Sequence, residues 1–314
     1  MLKSIQNILI RKFGSVGQTI SGSAPPSYEG PLDLVPSATW VGAWSTARAM
    51  SADMLGQNAY VVRRASDNTT TTAVYDAETG AVNESDISTF VNATTGFIPS
   101  LNDNSGNGKT QLQATEGIQP QWSADGAEHP GFNFSPDEST QCFLLTGANL
   151  AIASGGVTIF IVGKSTLPYN SSALLGINTS AGENQLTVTM NGGGGGVSIA
   201  GFFVDDVGGY YEVSGTQDIT AALSDYFVLT IQLSNSVQKI KINGQQITAT
   251  TSIAGTVSSA WAEPIALGNY ESVDSGAPFI GLMKEWALTD GVLSDADVLS
   301  VTQDMATYYG ITLP

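Results

Sequence analysis

The sequence predicts an all-β sandwich closed by hairpins, with a short helix at the N-terminus and a second helix at the C-terminus. Three observations lead there. Short runs of alternating or β-branched residues recur from residue 119 onward, separated by Gly-rich turns. The chain holds 35 glycines but only 12% charged residues, which suits a turn-rich β protein with a weakly charged surface. No long helical pattern separates the strands, as parallel βαβ units would require.

Residues 1–13 place Leu2, Ile5 and Leu9 at helical spacing, with Ile8 beside them, and are read as an anchor that grips a partner or a symmetry mate, the alternatives being a frayed or capping terminus and a membrane-surface helix. A Gly/Ser/Pro linker follows, and Pro25-Pro26 stiffens its end. Residues 1–28 are therefore set apart from a body of residues 29–314, a length that one β-sandwich can fill. Within the body, residues 40–44 have mixed character and residues 47–55 suggest a short helix. Residues 59–64 and 69–74 form two arms of a hairpin about Asp67-Asn68, and residues 85–90 a single helical turn.

The segment 226–288 organises the remainder. Residues 227–233 and 237–242 alternate as strands, and Asn243-Gly244 supplies the left-handed pair that a tight hairpin turn needs. Residues 265–269 and 279–288 add further strands. Ser294 caps a helix whose first turn carries Asp295 and Asp297, matching the positive end of the helix dipole. Val298, Val301, Met305 and Tyr308 make its apolar stripe, expected to cover a sheet edge, and Gly310 ends it.

The net charge of -17 excludes nucleic acid as a ligand of the body, since only eight basic residues lie beyond Lys12. The single cysteine, Cys142, excludes an intrachain disulfide, and no stretch reaches the length of a membrane span. Two basic residues follow the first apolar run and no small-residue cleavage motif is present, so no signal peptide is expected. One histidine, His129, cannot build a His-rich metal site. Asp103, Asn104 and Asn107 offer oxygens in the polar loop 102–108 and are the candidate Ca2+ ligands, without the bidentate Glu of an EF-hand; the other reading of the loop is a turn held by side-chain-to-backbone hydrogen bonds. Residues 191–196 lack the Lys-Ser/Thr ending of a phosphate loop and read as a hairpin tip. Trp261, Tyr210 and Tyr211 are the candidate sugar-stacking residues, while Trp286 belongs to the core.

The hairpin at Asn243-Gly244, the strands 265–269 and 279–288, and the segments 293–297 and 308–311 together resemble the closing portion of concanavalin A-like lectin/glucanase (LamG-like) jelly rolls. Residues 33–38, 60–67, 103–108 and Gln119-Pro120 are similar to the variant seen in arabinofuranosidase B catalytic domains and in tailed-phage virion proteins. Where family members carry an aromatic before an Asp-Gln-Ser-Gly segment, this chain has Leu101-Asn102-Asp103-Asn104-Ser105, and the paired adjacent cysteines of the fungal enzymes are missing.

The resemblance implies a concanavalin A-like sandwich serving as a decoration, fibre or adhesin component of a phage virion. Its partners would be other virion proteins bound through the N-terminus, further copies of itself, and host surface glycans. Two alternatives stand beside that reading: a glycoside hydrolase acting on arabinose-type or cell-surface polysaccharide, and a carbohydrate-binding module without catalysis. Asp205, Glu212, Glu263 and Asp274 are the acidic candidates for hydrolysis, and no catalytic role is assigned among them.

Overall fold

Trp286 and Trp44 stack at the centre of the molecule, with ring centroids 6.4 Å apart and neither ring exposed. The computed structural model describes residues 27–124, 129–134, 144–146, 152, 155–165, 172–177, 185–193, 196–204, 210–215, 219, 222, 225–253, 265–269 and 279–314. The anchor residues Leu2, Ile5, Ile8 and Leu9, together with Cys142 and Trp261, lie outside them.

In chain order the first strands are β1 (Thr39–Ser45), β2 (Asn58–Arg64), β3 (Thr70–Val74), β4 (Gly96–Leu101), β5 (Gln111–Leu112), β6 (Gln121–Ser123) and β7 (Gly131–Phe134). There follow β8 (Leu144–Thr146), β9 (Gly156–Ser165), β10 (Ser172–Ile177), β11 (Gln185–Gly193), β12 (Gly196–Val204) and β13 (Tyr210–Gly215). The last are β14 (Phe227–Ser234), β15 (Gln238–Ile242), β16 (Gln245–Gln246), β17 (Ala249–Ile253), β18 (Ala266–Leu267) and β19 (Gly281–Asp290). The helices are α1 (Glu84–Val91) and α2 (Asp295–Tyr308).

All pairings are antiparallel. One layer runs β15-β14-β9-β19, and β7 and then β1 share the far edge of β19. The other runs β3-β2-β4-β5-β8-β18-β10-β11-β12-β13-β17, and the β6–β7 pair joins the two. Trp44, Phe227, Leu229, Ile231, Trp286 and Leu288 from the first layer meet Tyr60, Val62, Ile98, Leu144, Leu175 and Leu267 from the second in one apolar core. This is the mostly-β sandwich that the strand spacing predicts.

The hairpin after β15 forms as its sequence requires. Asn243 (φ 50°) and Gly244 (φ 79°) both take the left-handed backbone, and the tight turn joins β15 to β16. At the start of β19 the strands approach closely, and a Cβ on Gly281 would collide with the Lys164 carbonyl oxygen.

Helix α2 starts as read from the sequence: the Ser294 Oγ accepts from the Asp297 N–H at 3.2 Å. Its stripe does not cover an edge. Val298, Val301, Met305 and Ala306 lie across the outer face of the central strands, on Ala43, Phe160, Val162, Val228 and Ala287, in a second apolar cluster. Each Val, Phe or Met side chain among them contributes roughly 1.5–3 kcal/mol on removal from water. Both faces of β9, β14 and β19 are consequently buried. The alternating polar residues of β14 therefore face the helix and not solvent: Thr230 meets Thr302 (3.4 Å between hydroxyls), and Gln232 donates to the Leu293 carbonyl at 2.9 Å.

Two local expectations are corrected. Residues 47–55 do not form a helix beyond the single turn Ala52–Met54, because their backbone is claimed by the segment that follows β3. The Ala49 N–H donates to the Gly80 carbonyl and the Val82 N–H to the Ala47 carbonyl. The turn at 85–90 is instead the full helix α1, opened by Asn83, whose Oδ1 accepts from the Asp86 N–H, and closed by Asn92 in the left-handed conformation.

Candidate functional site

The polar loop after β4 is built around Asp103, which is 7% exposed. Its Oδ1 accepts from the N–H groups of Ala43 (3.0 Å) and Ser105 (2.9 Å), and its Oδ2 from the Lys109 N–H (3.0 Å) and the Ser105 hydroxyl (2.8 Å). Asn104 is as enclosed: its Oδ1 accepts from the Met50 N–H, and its amide donates to the Tyr75 hydroxyl. Asn107 donates to the Trp40 carbonyl at 2.5 Å. Calcium collects six to eight oxygens with their lone pairs turned inward, whereas the oxygens of Asp103 face four hydrogen-bond donors. In this geometry Asp103, Asn104 and Asn107 form a brace that holds β1 and the segment after it. Among the described residues, no three His, Cys, Asp or Glu side chains converge as a metal cage.

A buried group of ionisable side chains lies elsewhere, beneath α2, and links residues far apart in the chain. Arg48, 4% exposed, donates from Nε to Glu285 Oε1 at 2.8 Å and from Nη2 to Glu285 Oε2 at 3.3 Å. The same Nη2 reaches Asp304 Oδ2 on α2 at 2.6 Å. Burial works against the Arg48 charge, yet Glu285 and then Asp304 hold its pKa well above the usual value. For Asp304 burial dominates and raises the pKa despite Arg48 beside it.

Aromatic rings close over the group. The Arg48 guanidinium sits 4.1 Å from the Tyr308 ring centroid, in cation–π contact. His129 stacks on the same Tyr308 ring, 4.3 Å between centroids and 20° from parallel, with Nε2 3.1 Å from the Tyr308 carbonyl oxygen. Burial lowers the His129 pKa and favours the neutral ring. The Lys284 ammonium donates to the His129 carbonyl and lies over the Tyr226 ring at 4.9 Å. The lone histidine is thus a wall of this group.

Chemically the group is a lock between α2 and β19. Glycoside hydrolysis needs two carboxyl groups facing one sugar, about 5–5.5 Å apart for retention or about 6.5–9.5 Å for inversion. Glu285 is 0% exposed and has no face open to a sugar, so Glu285 and Asp304 are not such a pair. Sequence reading missed all three residues. The one local signal was Lys284-Glu285 inside the apolar strand 279–288.

Of the sugar-stacking candidates, Tyr210 and Tyr211 fall on β13, paired with Val204 and Phe203 of β12; Trp261 lies outside the described residues. Among the acidic candidates, Glu212 is on β13 opposite Phe202, and Asp205, Glu263 and Asp274 lie outside the described residues. Among the described residues, Tyr211 and Glu212 sit between β12 and β17 and not beside the Asp103 loop. Among the described residues, no helix is long and apolar enough to cross a membrane.

The fold places this chain among β-sandwich, jelly-roll proteins of the lectin/glucanase kind, and the comparisons with known proteins narrow the likeness. A family model described as alpha-L-arabinofuranosidase B, catalytic, matches residues 33–137, about one third of the chain. A mutant GH54 α-L-arabinofuranosidase soaked with 4-nitrophenyl α-L-arabinofuranoside superposes with a TM-score of 0.60 at 19% identity. An arabinofuranosidase complexed with arabinofuranosyl-α-1,2-xylobiose gives the same TM-score at 18% identity. In both cases the match covers 89% of this chain and 65% of the other, so the chain spans somewhat less than two thirds of the length of those enzymes. No curated protein matches. These findings overturn the expectation of a tailed-phage virion component, because both the family model and the similar structures are arabinofuranosidases.

Proposed function

We propose that this protein is a glycoside hydrolase directed at arabinose-type polysaccharide. The observation that carries the reading is the family match over residues 33–137, which spans β1 to β7, helix α1 and the Asp103 brace. The likeness of the whole sandwich to arabinofuranosidases supports it.

The reaction needs one carboxyl to protonate the leaving oxygen and a second to attack the anomeric carbon or activate water. Glu285 is enclosed and neutralised by Arg48, so the pair is sought among Asp205, Glu212, Glu263 and Asp274. The test is release of 4-nitrophenol from 4-nitrophenyl α-L-arabinofuranoside and of arabinose from arabinoxylan, for the parent protein and for each single amide substitution. At least one of Asp205→Asn, Glu212→Gln, Glu263→Gln and Asp274→Asn is expected to lower kcat/KM by about 100-fold or more while leaving the thermal midpoint unchanged. A parent protein that releases neither product refutes the hydrolase reading. Retention on arabinoxylan without release supports the second reading, a binding module, which the enclosure of Glu285 favours.

A further inference from the structure

A cleft of about 420 Å³ opens where β14 begins, between Asp225, Tyr226, Asn243 and the segment that follows α2. The volume lies in the range of about 300–1,000 Å³ usual for small-molecule sites. We propose that this cleft is a saccharide-binding subsite that takes one neutral sugar unit through adjacent hydroxyl groups. The choice of ligand class rests on the carbohydrate reading above; the site itself rests on the following geometry.

Two polar side chains in the wall are fixed through one atom each and present the other. Asn243 is held by its left-handed backbone and by its Oδ1, which accepts from the Val228 N–H at 2.9 Å. That commits the carbonyl inward and leaves the Nδ2 group as a donor. Asp225 accepts from the Tyr226 N–H through Oδ1 at 2.8 Å. Its carboxylate is exposed, and Oδ2 remains as an acceptor. Thr312, also exposed, adds a hydroxyl that can do either.

An anchored donor beside an anchored acceptor matches a sugar diol, in which each hydroxyl gives one hydrogen bond and accepts another. The Tyr226 ring forms the aromatic wall, held by the ammonium groups of Lys164 at 5.4 Å and Lys284 at 4.9 Å from its centroid. Tyr309 and Ile311 supply apolar surface for the C–H face of the ring. The Asp225 carboxylate and the net charge of -17 disfavour a uronate or a phosphate in the same place.

The test uses the full chain in native gels containing arabinoxylan or arabinan, with L-arabinose and D-xylose as soluble competitors. The parent protein is expected to be retarded. The double variant Asp225→Ala/Thr312→Ala should bind at least 5-fold more weakly, with an unchanged thermal midpoint and an unchanged rate on 4-nitrophenyl α-L-arabinofuranoside. A parent protein not retarded by either polysaccharide overturns the proposal, as does a double variant that is retarded equally. Retardation lost in the variant, in a protein that releases no 4-nitrophenol, would sustain the subsite while refuting the hydrolase reading.

Discussion

Replacing Arg48 with methionine tests whether the group beneath α2 is a lock. The substitution keeps most of the side-chain volume but removes both donors to Glu285, the donor to Asp304 and the cation over Tyr308. Glu285, 0% exposed, is then left as a buried carboxylate without its cation, with the Ser45 hydroxyl 3.3 Å away. Breaking a buried ion pair from one side costs about 3–5 kcal/mol, most of it from the charge left behind. At roughly 2–4 °C per kcal/mol for a domain of this order of size, the thermal midpoint should fall by about 6–20 °C. The measurement is urea and thermal unfolding followed by tryptophan fluorescence, to which the buried Trp44–Trp286 stack contributes. The companion Glu285→Met removes the other partner, and the double variant removes the whole pair, which buried apolar replacements often tolerate. The double variant should therefore be more stable than the sum of the single losses predicts by at least about 2 kcal/mol. A loss below about 1 kcal/mol for Arg48→Met, or single losses that add within about 0.5 kcal/mol, would refute the lock.

Three further outcomes follow from α2. Ser294→Ala removes the cap on the Asp297 N–H and should cost about 1 kcal/mol in urea unfolding, whereas Ser300→Ala, on an exposed position of the same helix, should cost little. Asp295 is bonded first to Lys239 and then to Lys241, which hold its pKa down at about 2. Its depressed pKa stabilises the fold above the ordinary carboxylate range and that contribution is lost as pH falls towards 2. Because it is exposed, the Asp295→Asn loss should be under about 1 kcal/mol and should shrink in 0.5 M salt. Asp304 has the opposite sign: burial raises its folded pKa, so ionising it works against the fold. As pH is lowered from neutral through that raised value, the parent should gain stability relative to Asp304→Asn; a parallel pair of pH–stability curves would contradict the assignment.

Strands β9, β14 and β19 were readable because an extended run of apolar or alternating residues specifies a strand locally. Asn243-Gly244 specified its turn because both residues accept a left-handed backbone, and Ser294 and Gly310 marked the ends of α2 for equally local reasons. The alternation of β14 was also correct as a pattern, but it could not say that the polar face would lie under a helix. Residues 40–44, of mixed character, proved to be β1, whose Trp44 pairs directly with Trp286. That mixed character arises because β1 contributes to both apolar clusters, Val41 and Trp44 to one and Ala43 to the other.

The sequence by itself determined the antiparallel sandwich, the hairpin turn and the capped terminal helix, since each depends on residues within a few positions of one another. Only the tertiary structure decided that α2 roofs a sheet face, that Asp103 braces β1, and that Arg48, Glu285 and Asp304 meet. Arg48 and Glu285 are separated by 237 positions, and ion pairing acts through space, leaving no periodic trace along the chain.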